Sequence, residues 1–132
     1  MRMAIVGSRN ITDKDLVVEM FNEAIHQYAH GDDTITILSG GAKGVDTVAR
    51  EIAKMYNLDF VLFKPYHMLD SSVEYEPKYF FTRNKQIADN SDVVVIVWDG
   101  KSSGTRHMLD YCKRHKKPYV LHDATTPGKS AD

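Results

Sequence analysis

Residues 93–98 read VVVIVW, six apolar side chains in a row with no polar interruption. Successive side chains of a strand point to opposite faces, so a strand made of this run is apolar on both. It requires cover on both sides, which is the situation of a strand in a parallel sheet sandwiched between helices. The run is far too short to cross a bilayer, which takes roughly 18–20 such residues. The rest of the chain must therefore supply partner strands and two layers of helix.

It does so by regular alternation. MAIVG at 3–7 reads as a buried strand, and Asp13 is placed to cap a helix. That helix carries Leu16, Met20, Ala24 and Tyr28 at spacing four beside Val17, Phe21 and Ile25, and Gly31 is expected to close it. ITIL at 35–38 is a second strand. A second helical stripe follows through Val45, Val48, Ala49, Ile52, Ala53 and Tyr56. FVLF at 60–63 is a third strand, stopped by Pro65, and 66–77 reads as loop. EPKYFFTRNKQIADN at 76–90 is helical in character, and DVVVIVW at 92–98 is the expected centre of the sheet. A helix over 105–115 using Met108, Leu109 and Cys112, then PYVLH at 118–122 as a fifth strand, complete the pattern. The fold class is α/β: a doubly wound sheet of about five mainly parallel strands with helices on both faces. One domain is expected over 1–124, with the polar segment 125–132 a flexible tail.

Charge and composition narrow the function classes. Seventeen basic and 18 acidic residues leave a formal net charge of -1. That weighs against a broad electrostatic grip on nucleic acid, which is not expected as a partner. The six histidines show no metal-ligand spacing, and Cys112 is the only cysteine, so neither a disulfide nor a cysteine-based zinc site is expected. Cys112 reads as a core residue on a helix face. The apolar stretch near the N-terminus is too short for a signal peptide, so a cytoplasmic protein with no membrane association is expected.

In doubly wound sheets ligands bind beyond the carboxyl ends of the strands, where strand order reverses. Four segments follow strands here: Gly7-Ser8-Arg9-Asn10, Ser39-Gly40-Gly41-Ala42-Lys43-Gly44-Val45-Asp46, Lys64-Pro65-Tyr66-His67, and Asp99-Gly100-Lys101-Ser102-Ser103-Gly104-Thr105-Arg106. Three are rich in Gly and Ser. Glycine permits close backbone approach, and the unpaired amides that open a helix attract anions. Ser8, Ser39, Ser102, Ser103 and Thr105 add hydroxyls, and Arg9 and Arg83 add guanidinium forks suited to phosphate. A single turn of this kind is more often a tight connection with a capping residue. Three on one edge favour a phosphate-bearing ligand. The P-loop pattern is absent from GGAKGVD, and GSRNIT at 7–12 is not the dinucleotide fingerprint. An ordinary NTPase or dehydrogenase is thereby disfavoured, and no cofactor or metal is called for.

The ordered blocks GSR at 7–9, SGGAKGVDTVA at 39–49, RN at 83–84 and SDVVVIVWDGKSSGT at 91–105 resemble the SLOG superfamily, which groups DNA-processing protein A with the LOG-type phosphoribohydrolases. Within it the sequence is most similar to the small bacterial and phage branch related to YspA and YpsA. The resemblance implies a Rossmann-like fold that binds nucleotides or nucleotide-derived molecules such as ADP-ribose, and a possible homo-oligomer. In the hydrolase branch an arginine precedes the central strand, and Arg83 falls at its place. That branch follows the strand with PGGxGTxxE. Here Gly104 and Thr105 match, whereas the positions expected to hold acid are His107 and Met108. Glycosidic hydrolysis needs a carboxylate, so Asp46 and Asp99 stand as substitute catalytic candidates beside Arg83.

The leading expectation is a binding module for a nucleotide-derived small molecule. Gly7, Ser8, Arg9, Ser39, Gly40, Gly41, Ala42, Gly44, Arg83, Asn84, Ser103, Gly104 and Thr105 would contact phosphate or its surroundings. Asp46 or Asp99 would take ribose hydroxyls, and Trp98 would either stack on a base or pack in the core. The alternatives are an N-glycosidic hydrolase of nucleoside monophosphates and a single-stranded DNA binder. Without the resemblance, Arg83-Asn84 reads as part of a solvated helix face. Tyr66 and His67 are candidates for a pocket wall. The aromatic group Tyr75, Tyr79, Phe80 and Phe81 would cover the pocket or form a subunit contact.

Overall fold

The computed structural model describes residues 1–41 and 43–124, with Tyr66 and His67 described by their backbone alone. The chain runs β1 (Arg2–Gly7), α1 (Lys14–Tyr28), β2 (Thr36–Ser39), α2 (Val45–Met55), β3 (Asp59–Leu62), a single turn α3 (Tyr66–Leu69), α4 (Pro77–Asp89), β4 (Val93–Trp98), α5 (Ser103–Arg114) and β5 (Tyr119–Asp123). All four strand pairings are parallel, in the order β3-β2-β1-β4-β5. This is the Rossmann-like α/β fold that the alternation predicts. The segment 125–132, expected as a flexible tail, lies outside the described residues.

The side chains of β4 divide as its sequence requires. Val93, Val95 and Val97 join a core under α1 and α2, built with Ile5, Val17, Phe21, Val48 and Ile52. Val94 and Ile96 point the other way, into a core with Ile87 and Ala88 of α4 and Met108, Leu109 and Cys112 of α5. Burial raises the Cys112 thiol to about 11, against a smaller opposing pull from Lys117, so it stays protonated within the packing.

Three readings differ from expectation. The stretch 66–77, read as loop, opens with the single helical turn α3 before the chain reaches α4. β4 is not the middle strand; β1 is, with β2 and β4 on either side. Both are paired on two edges and covered on two faces, so apolarity alone does not rank them. Helix α1 starts as expected, with the Asp13 carboxylate accepting from the Leu16 amide at 3.2 Å. It ends at Tyr28, before Gly31, where Ala29 turns to extended backbone and its N–H donates to the Ile25 carbonyl. The loop to β2 then needs no glycine conformation at Gly31. No helix among the described residues is long and apolar enough to cross a membrane.

From β1 the chain winds outward through β2 and β3, then returns by α4 to β4 on the opposite side of β1. The connections leaving β1 and β4 diverge, and a crevice opens between their carboxyl ends.

Candidate functional site

Gly7 ends β1 where a side chain would run into the Val97 carbonyl and the Val45 side chain, so α2 packs directly against the backbone. Ser8 follows, only 1% exposed. Its N–H donates to the Val97 carbonyl at 3.0 Å, and its carbonyl accepts from Ile11 and Val45 at 3.3 and 3.4 Å. Its hydroxyl oxygen accepts from the Asp99 N–H at 2.9 Å. Ser8 thus ties together the loops after β1 and β4 and the start of α2.

Across the crevice, Asp99 Oδ1 accepts from the Lys101 and Ser102 amides, both at 2.8 Å. Partial burial pushes its carboxyl up. The amides of Ser102 and Lys101, with the side chains of Ser8 and Asn10, outweigh that and hold it below the ordinary carboxylate value. Trp98 Nε1 donates to the Ser102 carbonyl at 3.0 Å, fixing the far side of the same loop. Ser102 caps α5, its hydroxyl accepting from the Thr105 amide at 3.4 Å. The amides that open a helix have no intrahelical acceptor, and the helix dipole adds partial positive charge beside them.

Helix α4 supplies the third wall. Arg83 and Asn84 are 9% and 6% exposed, buried rather than on a solvated face. Asn84 Nδ2 donates to the Gly104 carbonyl at 3.1 Å, joining α4 to the start of α5. Arg83 Nη1 donates to the Gly40 carbonyl at 2.9 Å, and the Gly40 amide donates to Asp46 Oδ2 at 3.1 Å. The guanidinium sits 5.5 Å over the Phe80 ring, and its buried Nε has no hydrogen-bond partner among the described residues. Burial pushes the Arg83 pKa down, the Asp46 carboxylate pushes it up, and nearby Arg9 pushes it down. Two guanidinium groups close enough to repel therefore share one site.

These walls enclose a cavity of about 430 Å³, within the range typical of small-molecule sites. Of the sequence candidates, Gly7, Arg9, Asp46, Arg83, Asn84, Asp99, Ser103, Gly104 and Thr105 line it. Ser8, Ser39, Gly40, Gly41, Gly44 and Trp98 do not, and Ala42 lies outside the described residues. Ser39 is fully buried, its hydroxyl unpartnered among the described residues, and Trp98 packs into the core shared with α4 and α5. Asp46 is thus the described residue of the second glycine-rich segment that reaches the cavity. Tyr75, Pro77, Phe80, Phe81, Ile87 and Met108 form an apolar wall. Its aromatic members were legible as more aromatic surface than one helix buries, whereas Asn10 carried no signal beyond its place after Arg9. At the positions where a hydrolase acid would stand, Met108 is buried against the cavity and His107 packs on the Phe81 ring at 4.4 Å.

A family profile described as the YspA, cpYpsA-related SLOG family, YAcAr, matches residues 1–67, half of the chain. The chain belongs to the YAcAr family. This YAcAr chain is 42% identical over 49 residues to the uncharacterized SPbeta prophage-derived protein YoqJ of Bacillus subtilis (strain 168). The match covers 37% of the chain and 27% of YoqJ, so the chain spans about a quarter of that relative. Among solved structures it resembles DNA processing protein A from Helicobacter pylori, with a TM-score of 0.68 and 23% identity, over 92% of this chain and 64% of that one. DNA processing protein A from Streptococcus pneumoniae is similar at a TM-score of 0.68 and 18% identity, over 91% of this chain and 49% of that one. At these identities the likeness is one of fold.

One expectation is overturned here. Net charge set nucleic acid aside as a partner, yet the Helicobacter neighbour of this YAcAr fold is described by its single-stranded DNA binding mode. Net charge sums the whole surface, whereas a single strand needs only a local groove with a few donors and stacking rings.

Proposed function

We propose that this protein binds a phosphorylated, nucleotide-derived small molecule in the crevice between β1, β4, α4 and α5. The observation that carries the reading is Arg83, a buried guanidinium whose Nε has no partner among the described residues, set close to a second guanidinium, Arg9, at a common cavity. A buried donor left unsatisfied is costly, and an anion supplies the missing acceptor. Phosphate would sit against Arg83, Arg9 and the opening amides of α5, with the Ser103 and Thr105 hydroxyls beside it. Asp99 and Asp46 would accept from ribose hydroxyls, and the Phe80–Phe81 wall would take the base. Calorimetric titration with AMP tests this: saturable heat that disappears in Arg83→Ala supports it. Absence of heat with every nucleotide tried would sink it.

A second reading is favoured by the Helicobacter neighbour: the same crevice takes one nucleotide of a single DNA strand. A gel shift of a short oligonucleotide that weakens steeply with salt, and is competed by AMP, would support it. A shift that AMP leaves untouched would place any strand elsewhere.

A further inference from the structure

Among the described residues, four ionic side chains line the cavity: Arg9, Arg83, Asp46 and Asp99. Two are cations and two are carboxylates, so the lining is formally neutral. Asp46 already acts on Arg83 electrostatically, and the amides on Asp99 hold that carboxyl ionised at neutral pH. The start of α5 adds roughly half a positive charge. Lys43 and Lys101, the lysines of the adjoining loops, are exposed and do not line the cavity.

Resting on the binding reading above, we infer that the site accepts nucleotides carrying a single phosphate and rejects nucleoside di- and triphosphates, whose phosphate chain ends in a free, more highly charged group. One phosphate fits the two guanidiniums and the helix end. Each phosphate added in the series from AMP to ADP to ATP brings one more negative charge into a partly enclosed space that holds two carboxylates and, among the described residues, no further cation. Charge repulsion there is far stronger than in bulk water. The carboxylates set the limit on charge, and the guanidiniums set the need for one anion.

The test is a calorimetric series on the full chain with AMP, 3′,5′-cyclic AMP, ADP, ADP-ribose and ATP. It is run first in EDTA and then with magnesium, which could otherwise bridge carboxylate and phosphate. AMP or cyclic AMP should bind, ADP on the order of tenfold more weakly, and ATP on the order of a hundredfold more weakly. ADP-ribose, whose two diester phosphates together carry about the same charge as the AMP monoester, is the charge-matched arm and should not show the loss seen with ADP. Equal or tighter binding of ADP or ATP in either condition overturns this inference while leaving the binding reading intact. Silence from all five ligands removes both. Asp99→Asn supplies the mechanistic arm, since it deletes a charge and keeps an oxygen for the loop amides. The AMP-to-ATP affinity ratio should shrink by about tenfold, and an unchanged ratio overturns the charge argument.

Discussion

Arg83 donates to the carbonyl oxygen of Gly40 at 2.9 Å, and its guanidinium lies so near the Gly40 Cα that any side chain there would overlap it. The glycine of the Ser39-Gly40-Gly41 turn is therefore needed to let an arginine from α4 approach the backbone this closely. With the Gly40 amide held by Asp46, both backbone polar groups of Gly40 are engaged inside the protein.

Gly40→Ala should consequently act through Arg83. The added methyl displaces the guanidinium, and overpacking of this kind costs about 1–3 kcal/mol. Thermal unfolding should show a lowered Tm, with nucleotide affinity falling alongside. A variant with unchanged Tm and affinity would mean that Arg83 moves aside freely.

Replacing Arg83 itself separates charge from shape. Arg83→Lys keeps the cation but loses the fork that reaches Gly40 through Nη1 while leaving Nε for a ligand. AMP affinity should drop on the order of tenfold or more in Arg83→Lys, and further in Arg83→Ala. Full retention in the lysine variant would contradict a guanidinium-specific site.

How much of this could be read from the sequence depends on the range of the cause. The period-two split of β4 and the helical stripes of α1 and α2 are local, and strands and helices fell where they predict. Arg83 is different. Its neighbours Thr82, Lys85 and Gln86 make the segment look solvated, and its burial comes from a partner 43 residues away. The two glycine-rich segments looked alike, yet α5 presents Ser103 and Gly104 to the cavity while the described glycines after β2 serve packing. Sequence spacing cannot distinguish a glycine freed for a ligand from one pressed by another helix.

Gly44 tests the packing role directly. It has φ +77, and the Ser8 and Arg9 carbonyl oxygens lie where a Cβ would go. Gly44→Ala meets both backbone strain and a backbone clash, so it should destabilise the fold by about 1–3 kcal/mol or more. Denaturant unfolding measures this, and the loss should be present without any ligand. Stability equal to the parent chain would show that α2 can shift away from the β1 loop.

The Ser8–Asp99 clasp predicts a pH signature. The Asp99 carboxyl is held below the ordinary 3.8 because the amides and the Ser8 and Asn10 side chains outweigh the burial that raises it. A depressed folded-state pKa means stability that is present above the unfolded value and lost as pH falls through the folded one. Asp99→Asn should thus be less stable than the parent at neutral pH, with the difference shrinking as the solution is acidified below about 3.8. Ser8→Ala leaves the Asp99 amide without its acceptor, which costs about 1–3 kcal/mol, and should let the carboxyl titrate closer to 3.8. Carboxyl-carbon NMR titration reads the pKa, and urea unfolding at several pH values reads the stability. An Asp99→Asn deficit that stays constant down to acid pH would mean the carboxylate's charge contributes nothing to the fold.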